Sequence, residues 1–182
     1  MRKNNILRLV LASLFLCMTY VLPFLTGQIP EFGSMLCPMH IPVILCGFIC
    51  GWKYGLVVGI ISPIFRSLTL GMPPLFPTAF SMSFELGAYG LLSGILYNHL
   101  LNCIFKKKEL VIYLSLILSM VVGRVIYGTV MFVLMGFGKV TFSLKMFLVG
   151  TIVESIPGII LQIILIPLIV LIFEKYKKNR FE

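Results

Sequence analysis

Four charged residues stand inside segments that are otherwise apolar: Arg66, Glu85, Arg124 and Glu154. A charged side chain that faces lipid costs about 3 kcal/mol or more, so charges at membrane depth face inward and either pair or bind a ligand. A helical rise of about 1.5 Å per residue places these charges roughly 6 to 13 Å below the outer ends of their helices, apart from Arg124, which lies nearer the midplane. Two interpretations stay open: buried ion pairs that lock a helix bundle, and polar groups that line a binding site.

His40 and Tyr89 add polar groups to the same half of the membrane. His40 stands between two prolines at the outer start of an apolar segment, and Tyr89 lies one helical turn after Glu85. Alone, the histidine is better explained by capping of loop carbonyls and the tyrosine by packing, but together with the charges they suit a small polar ligand with an apolar body. We therefore predict one outward-opening cavity, closed by the loops at 27–39 and 71–77. Its predicted lining residues are His40, Arg66, Glu85, Tyr89, Arg124 and Glu154.

The composition predicts the class of protein that holds these residues. Hydrophobic residues make up 59% of the chain and charged residues 12%, and the mean hydropathy is +1.07. A soluble domain would be about a quarter charged. We predict an all-α integral membrane protein with a single domain over residues 1–182. The net charge of +9 does not indicate nucleic-acid binding, because the positive residues flank apolar segments instead of forming a folded basic surface.

Positive charges mark the predicted cytoplasmic ends of the helices. Basic clusters at 2–8, 106–108 and 175–180 flank apolar segments, as the positive-inside rule requires. They predict a six transmembrane helix bundle with both termini cytoplasmic, hence a multi-pass protein of the cell membrane, in which Lys139 and Lys145 lie on the outer side. The predicted spans are residues 6–26, 40–52, 54–70, 78–103, 110–135 and 145–173.

Glycines spaced four apart predict close helix packing in the second and third spans. Gly47, Gly51, Gly55 and Gly59 place small residues along one helix face, which lets backbones approach each other. For the inner pair, Gly51 and Gly55, a kink or a loose turn explains the glycines equally well.

The sequence lacks the motifs of common catalytic and nucleotide-binding sites. It contains no G-x-x-x-x-G-K-[ST], no H-E-x-x-H and no G-x-S-x-G, and its acidic residues are all glutamates. Its two histidines lie at opposite membrane ends, and Cys46 and Cys50 share a helix face without further metal ligands. We therefore predict no metal site, no cofactor and no enzymatic activity.

Several motifs, in their order along the chain, resemble one family. The segments PMHIP at 38–42, GWKYG at 51–55, SPIFRSLTLGMPP at 62–74 and FELGAYG at 84–90 are similar to the substrate-binding S component of energy-coupling factor (ECF) vitamin transporters. The resemblance covers nearly the whole chain and is strongest from residue 38 to residue 94. It implies a subunit of the bacterial plasma membrane that binds a vitamin from outside. Its implied partners are a transmembrane coupling protein and two ATPase subunits, in agreement with the missing nucleotide motif.

The resemblance also implies a contact surface and limits the substrate. Members of the family touch the coupling protein through an A-x-x-x-A pattern on the first helix. Here Ala12 is followed by Leu16 instead of alanine, and Ser13 and Cys17 form a small-x-x-x-small pair beside it. Metal-transporting members carry a histidine soon after Met1, where this chain has Arg2 and Lys3, so a metal substrate is disfavoured. Two arginines suit a carboxylate, as in pantothenate, while pyridoxine-like, pyrimidine and flavin ligands stay open.

Two other functions stay open on the residues alone. A membrane enzyme acting on lipid or prenyl groups would use Glu85 and Glu154 as acids, although no nucleophile motif or metal-binding cluster accompanies them. A structural membrane subunit would use the charges only as ion pairs.

Overall fold

The computed structural model describes residues 2–26, 37–101, 107–137 and 156–181. These residues form six helices, and five helical segments are long and apolar enough to cross a membrane. The prediction of an all-α membrane protein is therefore confirmed; the first eleven residues of the predicted sixth span lie outside the described residues. The helices are α1 Arg2–Thr26, α2 His40–Cys50, α3 Trp52–Leu70, α4 Phe80–Ile95, α5 Lys108–Phe137 and α6 Ile156–Phe181.

The short helix α2 lies at the centre of the bundle. It has 11 residues and is about 16 Å long, roughly half of the hydrocarbon thickness. All of its residues except Ile49 are buried, and it packs against α1, α3, α4 and α6. Because these neighbours shield α2 from lipid, its ends need not reach the bilayer surfaces.

Gly51 reverses the chain between α2 and α3. Its φ is 101°, a backbone conformation that favours glycine because it has no Cβ. A Cβ on Gly55 would lie 2.8 Å from the Cα of Gly47, whereas residues eight apart in one continuous helix are about 12 Å apart. The two glycines of the inner pair therefore differ in role: Gly51 makes a turn, and Gly55 makes a close contact.

Helix α4 packs directly on the backbones of α2 and α3. A Cβ on Gly55 would lie 2.5 Å from the carbonyl oxygen of Gly90, and a Cβ on Gly59 would lie 2.7 Å from the amide nitrogen of Gly87. The atoms that fill these positions belong to the backbone, so they cannot rotate away. The predicted close approach of helices is confirmed at both residues.

The outer faces of the bundle are apolar, as lipid contact requires. On α1, Leu7, Val10 and Leu14 are exposed, while Ala12 and Phe15 are buried. The described parts of α5 and α6 show the same division, with exposed valine, isoleucine, leucine and phenylalanine side chains along one face of each helix. The polar residues of the interior are thereby separated from lipid.

The glycine contacts generate a stability prediction. Gly59→Ala should destabilise the protein by about 1–3 kcal/mol through overpacking, although alanine is favoured over glycine in a helix by about 1 kcal/mol. Thermal unfolding in detergent can be followed with a thiol-reactive dye on a Cys17→Ser background, because Cys46 and Cys50 are buried in the folded protein whereas Cys17 is exposed. Val57→Leu on the exposed face of the same helix is the control, and equal unfolding temperatures for both variants would contradict the packing role.

Candidate functional site

Glu85 on α4 is the centre of a buried polar cluster. Its side chain is almost fully buried, and the residue is 1% exposed. Its Oε1 accepts a hydrogen bond from the Tyr89 hydroxyl at 2.8 Å and lies 3.0 Å from Nη1 of Arg124. The Nε2 of His40 lies 3.8 Å from the same oxygen. Three helices thus direct polar groups towards one carboxylate oxygen.

The local sequence explains how these side chains meet. Glu85 and Tyr89 are four residues apart on α4 and so lie on one helix face, while His40 is the first residue of α2. Gly123, the residue before Arg124 on α5, provides the space for the Tyr89 ring, since a Cβ there would lie 3.0 Å from Cζ of Tyr89, with other ring atoms closer still. The rings of Tyr89 and His40 pack at a centroid distance of 5.3 Å.

The cluster has one neutralised charge pair and one histidine with unused hydrogen-bonding capacity. Glu85 and Arg124 compensate each other, as two charges in a low-dielectric interior must. His40 is 3% exposed, and within the described part of the chain neither of its ring nitrogens has a hydrogen-bond partner. A buried polar atom without a partner costs about 1–3 kcal/mol, so the ring is suited to bond a group that enters the site.

Arg66 on α3 lies beside this cluster without joining it. Its Nη1 donates to the sulfur of Met39 at 3.4 Å, and Met39 immediately precedes His40. Within the described residues, the Nε of Arg66 has no hydrogen-bond partner, and Arg66 forms no salt bridge. Thioether sulfur is a weak acceptor, so the positive charge of Arg66 stays uncompensated there.

The structure therefore brings together four of the six predicted site residues. His40, Glu85, Tyr89 and Arg124 form the cluster, Arg66 lies next to it, and Glu154 lies outside the described residues. The predicted outward cavity stays a prediction, because most of the 27–39 loop is outside them as well. In the other predicted loop, 71–77, the side chains of Met72, Leu75 and Phe76 are exposed.

Sequence reasoning missed three residues that contact the predicted site residues: Gly123 beside Tyr89, Cys37 beside Arg124, and Met39 beside Arg66. Gly123 could have been recognised as a small residue directly before an intramembrane arginine. Cys37 and Met39 could not be recognised from the sequence, because cysteine and methionine in an apolar segment are usually interpreted as packing residues. In the structure, Nη2 of Arg124 lies 4.0 Å from Sγ of Cys37.

The small residues of α1 divide between two faces. Ser13 and Cys17 are exposed, whereas Ala12 is 5% exposed and packs in the interior. Of the predicted contact residues, only Ser13 and Cys17 lie on the surface available to a partner. The burial of Ala12 follows from the helix period, which places it on the same side as Phe15 and Thr19.

An apolar helical bundle with buried ionisable residues is typical of membrane proteins that bind or move small polar molecules. Within the described residues no group of three or more histidine, cysteine or acidic side chains could hold a metal. The family model of the substrate-specific component of ECF transporters matches residues 7–170, so the chain belongs to that family. It is therefore a multi-pass membrane transport subunit and not an enzyme, and the family works with an ECF energising module and a small substrate. No curated protein and no solved structure matches the chain.

The buried pair generates a second stability prediction. Glu85→Gln should destabilise the protein by about 3–5 kcal/mol, because it leaves Arg124 charged and unpaired in the interior. The double variant Glu85→Gln/Arg124→Met should recover part of this loss, because the orphaned charge is removed. Thermal unfolding in detergent measures both effects.

Glu109→Gln is the matched control for this pair. It removes a carboxylate in the exposed first turn of α5, where the change should be within about 0.5 kcal/mol. A double variant no more stable than Glu85→Gln would contradict the pairing.

Proposed function

We propose that this chain captures a small carboxylate-bearing vitamin from outside, with pantothenate as the first candidate. The observation that supports the proposal is the uncompensated charge of Arg66. This arginine is half-buried and has no carboxylate partner among the described residues, whereas Arg124 in the neighbouring cluster is paired with Glu85. The arginines indicate the charge of the ligand and not its shape.

The charge balance of the site favours an anion. Among its described residues the site has two arginines, Arg66 and Arg124, and one carboxylate, that of Glu85, which Arg124 contacts at 3.0 Å. One positive charge is therefore in excess among the described residues of the site. A guanidinium holds a carboxylate through two parallel hydrogen bonds, which gives both energy and orientation.

The remaining groups suit the uncharged part of such a molecule. The His40 ring is buried with both nitrogens free of hydrogen bonds in the described part of the chain, so it can bond a hydroxyl or amide group. Pantothenate offers a carboxylate, an amide, hydroxyls and a branched apolar centre. Pyridoxine, thiamine-type pyrimidines and riboflavin carry no carboxylate, so a ligand panel separates these alternatives.

The two arginines should respond differently to the same conservative change. Arg66→Lys should lower the affinity for pantothenate by about 2 kcal/mol or more, because lysine cannot form the paired hydrogen bonds. Arg124→Lys should mainly lower the unfolding temperature, because its role is to compensate Glu85. Isothermal titration calorimetry and thermal unfolding of the purified chain give the two readouts.

Lys107→Arg, a charge-conserving exchange at an exposed position just before α5, is the matched control. It should leave pantothenate affinity unchanged. If Arg66→Lys also binds pantothenate with unchanged affinity, Arg66 is not the carboxylate contact. If the unmodified chain binds only ligands without a carboxylate, the proposed substrate class is wrong.

The energising module is proposed to consist of a transmembrane coupling protein and two ATPase subunits, contacted in part through the exposed Ser13 and Cys17.

Because the chain has no nucleotide-binding motif, we expect proteoliposomes that hold this chain alone to bind substrate without accumulating it. Radiolabelled uptake with ATP inside the vesicles measures this, and the reconstituted complex is the positive control. Sustained ATP-dependent accumulation by the chain alone would contradict the prediction.

A further inference from the structure

A second polar region lies at the opposite end of α2 from His40. A cavity of about 520 Å³ is formed where α2 turns into α3, beside the start of α1, residues 97–99 after α4, and the second half of α6. By the positive-inside rule this is the predicted cytoplasmic end. The lining residues that matter here are Arg8, Trp52, Lys53, Tyr54, Tyr97 and Glu174.

The charge of this cavity is positive. Arg8 and Lys53 form no salt bridge within the described part of the chain, and Nζ of Lys53 lies 5.4 Å from the centroid of the Trp52 ring. Glu174 also lines the cavity, but its Oε2 is 2.6 Å from Nζ of Lys108. The acidic group is thus neutralised from outside the cavity, which leaves the two cations in excess.

The start of α3 adds a further positive element to the same cavity. Its N-cap is Gly51, and no side chain caps the first turn. The residues of that turn, Trp52, Lys53 and Tyr54, all line the cavity. Unsatisfied amides and the helix dipole favour an anion at such a position.

The aromatic lining indicates that the cavity lies at the level of the lipid headgroups. Trp52 and Tyr54 are half-buried and have amphipathic rings, which concentrate at the membrane–water interface. The cytoplasmic leaflet is rich in anionic lipids, which attract lysine and arginine near its surface.

We propose that this inner cavity binds a phosphate group, as carried by the headgroup of an anionic phospholipid, between Arg8, Lys53 and the first turn of α3. The site is independent of the outer cluster and of the identity of the transported molecule. It is a second ligand site on the side from which the transported substrate does not enter.

Native mass spectrometry of the full chain in detergent tests the proposal with phosphatidylglycerol and phosphatidylcholine of identical acyl chains. We expect selective retention of phosphatidylglycerol, and about a tenfold loss of that affinity in Arg8→Gln/Lys53→Gln. Lys107→Gln/Lys175→Gln is the matched control, since it removes two exposed cations outside the cavity lining and should retain the lipid.

Two soluble probes identify the source of the phosphate. Displacement of phosphatidylglycerol by inorganic phosphate or glycerol 1-phosphate supports a site for the phosphate group itself. Retention of the lipid against both supports a site for the lipid headgroup within its bilayer.

The proposal is overturned if both lipids are retained equally, or if the two double variants lose phosphatidylglycerol to the same extent. Thermal unfolding establishes that Arg8→Gln/Lys53→Gln is folded. If it does not fold, the single variants Arg8→Gln and Lys53→Gln replace it. Each single variant is expected to bind phosphatidylglycerol several-fold more weakly than Lys107→Gln.

Discussion

The polar interior of this protein depends on the carboxylate of Glu85. A carboxylate that is 1% exposed in a membrane protein requires a cation and hydrogen-bond donors, since each unmatched charge in lipid or apolar protein is costly. Arg124 supplies the charge, and Tyr89 supplies a hydrogen bond. The helices α4 and α5 must therefore meet at this height, and the packing of the His40 ring on Tyr89 brings α2 to the same place.

Glycines permit the close packing in and around this cluster. Bulkier residues at Gly55 and Gly59 would hold α3 away from α4, and a side chain at Gly123 would occupy the place of the Tyr89 ring. Small residues thus do two different things here: some bring backbones together, and one leaves room for a side chain. The polar cluster and the backbone packing are parts of one arrangement.

The sequence was sufficient for the helices and for much of the cluster, because both follow from the cost of exposing the wrong group to lipid. The cost of exposing a charge to lipid predicts that a charged residue faces the interior, and the helical rise predicts its depth in the membrane. Neither predicts which neighbouring helix the side chain contacts. For this reason Arg66 and Arg124 looked equivalent, whereas only Arg124 contacts Glu85. Spacing alone likewise could not separate the turn at Gly51 from the contact at Gly55, which depends on a neighbouring helix. The inner cavity could not be predicted, because it arises from helix ends that are far apart in the sequence.

The shortness of α2 has a consequence for the distance between the two polar regions. His40 begins this helix and Cys50, which lines the inner cavity, ends it, so about 16 Å of helix separates the two polar regions, against about 30 Å of hydrocarbon in the surrounding bilayer. The apolar layer between them is accordingly about half as thick as the hydrocarbon of the membrane. A polar side chain introduced anywhere along α2 would therefore lie within about two helical turns of one of these regions, whereas one at the middle of a helix that spans the whole bilayer would not.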